Sequence, residues 1–198
     1  NVKFDVTSGE ARYNNKISKV MKLLQKKKLL EESEGAQIIN LENYGLGVCL
    51  MAKSDGTTLY ATRDIAAALD RYKLYKFKKM FYEVGAEQKL HFKQVFKVLE
   101  LIGLKWSDDC IHVEHGLYLD TDGKKFSTRK GKTVFMEDIW KETKELAANE
   151  LKKRFKLSKQ QLEKRSSAIA LSAILYGDLK NYRSNDMIFD LNRFISFE

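Results

Sequence analysis

Short apolar runs alternate with stretches of helical periodicity between residues 36 and 119, and this alternation limits the fold more than any other feature of the chain. The runs end in glycine or polar residues, as strands do, whereas the stretches between them repeat apolar residues at helical spacing. The order strand, helix, strand, helix, strand predicts an α/β fold with an open, mostly parallel sheet. The predicted strands are 36–40, 48–52, 80–85 and 111–119, and the predicted helices between them are 57–72 and 87–103.

Helical segments are also predicted before and after this region. Apolar residues recur at helical spacing from Glu10 to Leu30, with Ser8 as a candidate cap, and the polar segment EESEG at 31–35 is predicted to end that helix. Beyond about residue 138 the pattern is almost entirely helical, so we expect a domain boundary there. The long helices predicted in this part are about 136–155 and 166–182, and the expected domains are 1–138 and 139–198.

The composition restricts the class of the protein and its compartment. A formal net charge of +9 favours an anionic partner such as nucleic acid or nucleotide phosphate. No apolar run approaches the ~20 residues that cross a bilayer, so no membrane association is expected. Neither cysteine lies in a metal-binding cluster, so we expect a reducing cytoplasm. The first residue is Asn1 and no signal segment follows it, so we expect a piece of a longer polypeptide.

Tyr60 and Asp64 form a candidate binding site for a planar cation. They are four residues apart on a predicted helix, so both side chains project from one face. A guanidinium group can donate to both oxygens of a carboxylate and stack on an aromatic ring, so the pair suits arginine better than lysine. Gln88 follows a predicted strand at its carboxyl end, where open α/β sheets bind ligands. The alternative is a half-buried tyrosine beside a surface acid that pairs with Arg63 or Arg71.

A basic loop bracketed by glycines follows the last predicted strand. Residues 122–131 (DGKKFSTRKG) combine cationic side chains with the hydroxyls of Ser127 and Thr128. Such groups can stabilise the charge that develops when pyrophosphate leaves ATP, although a solvated loop without a ligand is the alternative. His112 and His115 lie just upstream, and because no third ligand is near them in sequence we expect no metal there.

The strings TTLYATRDIAA and VGAEQKLHF, in that order, resemble the paired motifs of arginyl-tRNA synthetases, which are class I synthetases. The resemblance extends from FDVTSGE near the start of the chain to FDLNRFISFE at its end. His91 lies in the second motif, one helical turn beyond the glutamine, where it could face the pocket or pack as an ordinary histidine. The residues that the resemblance assigns to arginine binding are Tyr60, Asp64, Gln88 and Glu10.

KFSTR at 125–129 resembles the KMSKS loop that class I synthetases place over the ATP phosphates, with Phe126 in place of the methionine. Many arginyl enzymes have similarly degenerate loops, so this departure supports the resemblance. HVEHGLY at 112–118 resembles the strand and turn that contact adenosine in the family. The resemblance assigns catalytic roles to Lys125 and Ser127, and ATP binding to His115, Gly116, Lys124, Lys125, Ser127, Arg129 and Lys130.

The resemblance also implies a fold, a reaction and partners. Residues 1–138 would be the C-terminal part of a Rossmann-like catalytic core, and the helices after it would lead toward an anticodon-binding domain. The enzyme would use ATP with Mg²⁺ to activate L-arginine and transfer it to tRNA(Arg) in the cytoplasm; the sequence does not fix the oligomeric state, and a monomer is favoured. The sequence contains no His-x-Gly-His string like the HIGH motif of class I enzymes, so we expect this chain to be inactive alone.

Two other functions fit the same sequence. A non-catalytic RNA-binding or scaffolding module on a synthetase-like fold would use the positive charge equally well, but it has no need of an arginine pocket. A different nucleotidyl-transfer enzyme of the same α/β superfamily would bind ATP without responding to arginine.

A cluster of basic residues lies near the end of the first long helix predicted after residue 135. These side chains either contact tRNA phosphates or form a solvated helix face. The residues are Lys152, Lys153, Arg154 and Lys156.

Overall fold

The chain divides between residues 113 and 114 into two units, each with its own internal contacts. The computed structural model describes residues 2–120, 122–125 and 135–188. Strands and helices occur in both units, and the α/β class predicted from the sequence is confirmed. The domain boundary expected near residue 138 stays a prediction.

The first unit carries three α-helices and five strands within its described residues. The last of these strands continues past the division to His115. In chain order the elements are a 3-10 helix (Glu10–Lys16), α1 (Ile17–Lys26), β1 (Glu31–Ser33), β2 (Ala36–Asn40), a 3-10 helix (Glu42–Tyr44), β3 (Val48–Ala52), α2 (Tyr60–Tyr75), β4 (Met80–Gly85), a 3-10 helix (Ala86–Gln88), α3 (Lys89–Leu101), a 3-10 helix (Lys105–Asp109) and β5 (Cys110–His115).

The segment 31–35 forms a strand and a tight turn, so the expectation that it ends the first helix was wrong. β1 pairs antiparallel with β2, which pairs antiparallel with β3. Glu34 and Gly35 connect the first pair with φ values of 50° and 76°. Two successive residues with positive φ are what a two-residue hairpin turn of type I′ requires, and that turn matches the twist of the strands. β4 pairs with β5 in a separate sheet.

The segment that carries Glu10 is held against α2 by charged side chains. Gly9 precedes the 3-10 helix and no side chain caps it, so the expectation that Ser8 is the cap was wrong. Asp70, on α2, forms an ion pair with Lys16 and a longer one of 3.6 Å with Arg12. The hydrogen bond from Lys16 lowers the pKa of Asp70, so the carboxylate stays ionised and keeps both partners.

The start of α2 is fixed by the backbone of β3. The carbonyl of Met51 accepts a hydrogen bond from the Leu59 amide at 3.1 Å and one from the buried Thr62 hydroxyl at 2.7 Å. Four alanines on α2 are also buried, and their small side chains let α1, α3 and β3 pack closely around the helix. The first turns of α2 are therefore a rigid support for the side chains they expose. The four buried alanines are Ala61, Ala66, Ala67 and Ala68.

The second unit is a pair of packed helices with a small parallel sheet. Its elements are β6 (Tyr118–Leu119), α4 (Met136–Arg154), α5 (Lys159–Leu179) and β7 (Met187–Ile188). Four residues at helical spacing form the buried stripe of α4: Ile139, Thr143, Ala147 and Leu151. None of the helices in the described part of the chain is long and apolar enough to cross a membrane.

Two boundaries in the second unit differ from those predicted. α5 begins at Lys159, earlier than predicted, because Ser158 and Gln161 form a capping box with hydrogen bonds of 3.2 and 3.1 Å. The strand predicted over 111–119 is interrupted at Gly116, so β5 and β6 are separate strands. Both differences depend on hydrogen bonds and packing that apolar periodicity does not report.

Candidate functional site

Tyr60 and Asp64 lie one helical turn apart at the start of α2, as their spacing predicts. Tyr60 is 64% exposed, and the Asp64 side chain is 36% exposed. The turn that carries them is fixed by the hydrogen bond from the buried Thr62 hydroxyl to the Met51 carbonyl. The backbone is therefore fixed while an aromatic ring and a carboxylate remain open to a ligand.

The carboxylate of Asp64 contacts His91, the third residue of α3. The His91 Nε2 and Asp64 Oδ2 atoms are 2.6 Å apart, and the His91 side chain is 22% exposed. Within the described residues Asp64 forms no ion pair with Arg63 or Arg71, so the pairing that the alternative interpretation required is not present. The sequence left the position of His91 open, and the structure places it against Asp64 in the candidate site. Its spacing of three residues from Gln88 was the available signal.

Glu10 lies near Tyr60 because Arg63 contacts both side chains. The Arg63 Nη1 and Glu10 Oε2 atoms are 3.5 Å apart, and the Arg63 guanidinium lies 5.9 Å from the centre of the Tyr60 ring. Glu10 is well exposed, so this weak pair leaves its carboxylate accessible. The structure thus brings two carboxylates and a tyrosine to one end of α2, a chemistry that suits a cationic ligand with several N–H donors.

Gln88 ends the short 3-10 helix that follows β4, and it immediately precedes α3. Its side chain is exposed. This position agrees with the prediction that Gln88 lies just beyond the carboxyl end of a strand. His91 follows it by one helical turn, so Gln88 stands next to the residue that contacts Asp64.

Burial raises the pKa values of three side chains in the first unit, those of Tyr82, Cys49 and Cys110. Burial raises the pKa of Tyr82, and its hydroxyl has no hydrogen-bond partner among the described residues. The Arg71 guanidinium lies 5.9 Å from the Tyr82 ring, which gives a cation–π contact. Burial also raises the pKa of Cys49 and of Cys110 to about 11, so neither thiol is a nucleophile at neutral pH.

The turn at Gly116 in the second unit is held by the backbone of the chain itself. The Gly116 amide donates to the Arg183 carbonyl at 2.7 Å, and the Leu117 amide donates to the Asp186 carboxylate at 2.8 Å. A β-carbon at Gly116 would lie 2.1 Å from the Asn185 carbonyl oxygen. On that side the close approach that glycine permits is therefore to residues 185 and 186, and the approach of an adenine ring expected at Gly116 stays a prediction.

The exposed His115 adjoins this turn. Its Nδ1 lies 2.9 Å from the carbonyl oxygen of Gly116. An oxygen of this kind only accepts, so the contact needs the hydrogen on Nδ1 and leaves Nε2 available as an acceptor in the neutral ring. The adenosine contact assigned to His115 and Gly116 stays a prediction.

The base of the basic loop is a compact turn organised by Asp120. Its carboxylate accepts hydrogen bonds from the amides of Asp122 at 3.0 Å and Lys124 at 2.8 Å. Gly123 has φ of 74°, and Lys125 bridges back to Leu119. Lys124 and Lys125 are exposed at the point where the loop begins. The remaining predicted ATP-binding residues, Ser127, Arg129 and Lys130, lie outside the described residues.

Among residues 2–120, 122–125 and 135–188, no group of three or more histidine, cysteine or carboxylate side chains is arranged to hold a metal ion.

Comparison with known proteins identifies a family that matches nearly the whole chain. The model for the catalytic domain of class I (R) tRNA synthetases matches residues 1–191. An arginine–tRNA ligase of Clostridium botulinum is 45% identical over 197 residues, which cover 100% of this chain and 35% of the relative. One from an Exiguobacterium species is 47% identical over 198 residues, with the same coverage of both chains. The chain thus spans about a third of the length of these relatives.

Solved structures show the same fold. The arginyl-tRNA synthetase of Plasmodium falciparum matches with a TM-score of 0.79 at 25% identity, over 97% of this chain and 33% of that one. The Thermus thermophilus arginyl-tRNA synthetase matches with a TM-score of 0.75 at 17% identity, over 96% of this chain and 38% of that one, and this likeness concerns the fold alone.

Proposed function

This chain belongs to the family of class I (R) tRNA synthetase catalytic domains, and on that premise we propose that it supplies the amino-acid pocket of an arginine–tRNA ligase. The observation that carries the proposal is the open Asp64 carboxylate beside an exposed Tyr60 ring on a rigid helix start. A guanidinium would donate two parallel N–H groups to Asp64 and lie against the tyrosine. Glu10 would add a second negative charge, and the Gln88 amide would orient the amino-acid head group.

ATP would be bound as its magnesium complex by the basic loop and the turn before it. Lys124 and Lys125 stand exposed at the base of that loop, where their ammonium groups favour phosphate oxygens. Ser127, Arg129 and Lys130 would extend this set along the loop. We assign to Lys125 and Ser127 the stabilisation of charge as pyrophosphate leaves, and to His115 and Gly116 the contact with adenosine.

The reaction would proceed in two transfers. An oxygen of the arginine carboxylate attacks the α-phosphorus of ATP, the bond to the bridging oxygen breaks, and pyrophosphate leaves. A hydroxyl at the 3′ end of tRNA(Arg) then attacks the carbonyl carbon of the adenylate, and AMP leaves. The residues of this chain would act mainly by orienting the reactants and stabilising charge.

The 198 residues contain no His-x-Gly-His string, so we propose that they do not form arginyl-adenylate by themselves. The complete activity belongs to the full polypeptide that contains this chain. Lys152 and Lys156 are exposed and unpaired within the described residues, and they are the best candidates here for contacts with tRNA phosphates. We propose the cytoplasm as the compartment and a monomer as the simplest state.

A charging assay with the full polypeptide tests this function. We expect arginine, and no other amino acid of the standard set, to be attached to tRNA when ATP and Mg²⁺ are supplied. The 198-residue chain alone is the matched control and should give no arginine-dependent ATP–pyrophosphate exchange. Charging of a different amino acid would contradict the proposed substrate, and binding of RNA without any charging would favour the non-catalytic module.

A further inference from the structure

Asp64 and His91 lie on different helices, yet their side chains share the shortest contact within the candidate arginine site, 2.6 Å between Oδ2 and Nε2. An ionised carboxylate can only accept hydrogen bonds, so Nε2 carries the hydrogen. Resting on the proposed function, we propose that His91 is a positioning residue: it fixes the plane of the Asp64 carboxylate that receives the guanidinium of arginine.

The His91 ring is itself restrained. It packs edge-on against Phe92, with ring centres 5.2 Å apart and planes at 77°, and Phe92 is a buried core residue. Phe92 in turn contacts the rings of Tyr82 and His112. Because the His91 ring is restrained, its hydrogen bond holds the Asp64 carboxylate in one orientation, whereas a mobile surface histidine would not.

The contact leaves room for the ligand. A carboxylate offers about four acceptor positions, two on each oxygen. His91 occupies one position on Oδ2, and a guanidinium bound by two parallel N–H groups needs one on each oxygen. The Asp64 side chain is 36% exposed, so its free side can be approached from solvent. Fixing the carboxylate before arginine arrives reduces the entropy lost on binding.

The same contact links the two motifs of the site. Asp64 lies on α2, and His91 lies on α3 one helical turn after Gln88. The hydrogen bond therefore sets the spacing between the helix that presents the carboxylate and the residue that would orient the head group. Loss of His91 should weaken the use of arginine without a comparable effect on ATP.

Steady-state charging by the full polypeptide tests this role with two variants. His91→Leu removes the donor, and we expect KM for arginine to rise about 10-fold, because a hydrogen bond to a charged group is lost. The kcat and the KM for ATP should stay close to those of the unmodified protein. His91→Gln keeps an N–H donor at similar reach and should restore most of the arginine KM. His91→Asn, whose amide falls short of Asp64, replaces His91→Leu if the latter does not fold.

Gln94→Met is the matched control on the same helix. Gln94 donates to the carbonyls of Leu46 at 2.8 Å and Val48 at 3.1 Å, away from the candidate site. This variant should lower the melting temperature and leave the KM for arginine unchanged. The inference is overturned if Gln94→Met raises that KM as much as His91→Leu does. It is also overturned if His91→Leu has no effect while Asp64→Asn raises the KM. No effect from either Asp64→Asn or His91→Leu would instead refute the proposed arginine site.

Discussion

A methyl group at Gly116 would lie 2.1 Å from the Asn185 carbonyl oxygen and 2.7 Å from the Asp186 amide nitrogen. Both are backbone atoms, so rotation of a side chain cannot relieve the collision. The turn is also closed by the hydrogen bond from the Gly116 amide to Arg183. At the scale of single residues, this glycine is required because the chain packs on itself there.

Gly116→Ala should therefore lower the free energy of unfolding by about 1–3 kcal/mol, the usual cost of overpacking. Urea denaturation measures this loss, and amide exchange at Met187 should become faster because β7 is displaced from β6. Gly9→Ala is the control, since Gly9 has φ of −91° and no atom within 4 Å of an added β-carbon. Equal stability of the two variants would show that the close approach at Gly116 is not rigid.

At the scale of elements, the turn at Asp120 gives the basic loop a defined origin. Its carboxylate holds two backbone amides, and the strand-like bridge between Leu119 and Lys125 closes the turn. The backbone at Lys124 and Lys125 is therefore held in this turn. Without the Asp120 carboxylate, the backbone at Lys124 and Lys125 would no longer be held in one conformation.

Asp120→Ala should raise the KM for ATP in the full polypeptide about 10-fold, roughly the effect of one hydrogen bond to a charged acceptor. Asp122→Ala removes the same charge from the same turn but leaves the Asp120 hydrogen bonds in place, so its effect on ATP should be smaller. Equal effects would mean that local charge, and not the turn, governs ATP binding.

Most elements, and the ends of three strands, could be predicted from apolar periodicity, but the ends of the helices could not. The strands 36–40, 48–52 and 80–85 agree with β2, β3 and β4, because each is a short run of apolar residues. The segment 31–35 was misassigned because its charged residues form an edge strand with no buried face. α5 begins earlier than predicted because the capping box at Ser158 stabilises a polar first turn.

The candidate site was partly predictable for a similar reason. Tyr60 and Asp64 share a helix, so their spacing of four residues predicted a common face. The contact between Asp64 and His91 joins two helices whose packing depends on the tertiary fold. The spacing from Gln88 left His91 either in the pocket or packed as an ordinary histidine, and no local pattern encodes its distance to Asp64.

At the scale of the whole molecule, the positive charge alone does not identify an RNA surface. Near the end of α4, Lys153 and Arg154 both pair with Glu150, so only part of the basic cluster predicted there is available for phosphates. Membership of the synthetase family and the chemistry of the pocket carry the functional argument instead. We therefore propose that this chain selects arginine through the charge of Asp64.

Calorimetric titration of the full polypeptide with arginine and citrulline tests that claim most directly, because citrulline is a neutral analogue of nearly the same shape. We expect arginine to bind roughly 100-fold more tightly, since a charge-assisted pair of hydrogen bonds is lost with citrulline. Asp64→Asn should remove most of this discrimination, whereas Asp108→Asn, which changes an exposed acid in the same unit, should preserve it. Arginine selectivity that survives Asp64→Asn would contradict the account.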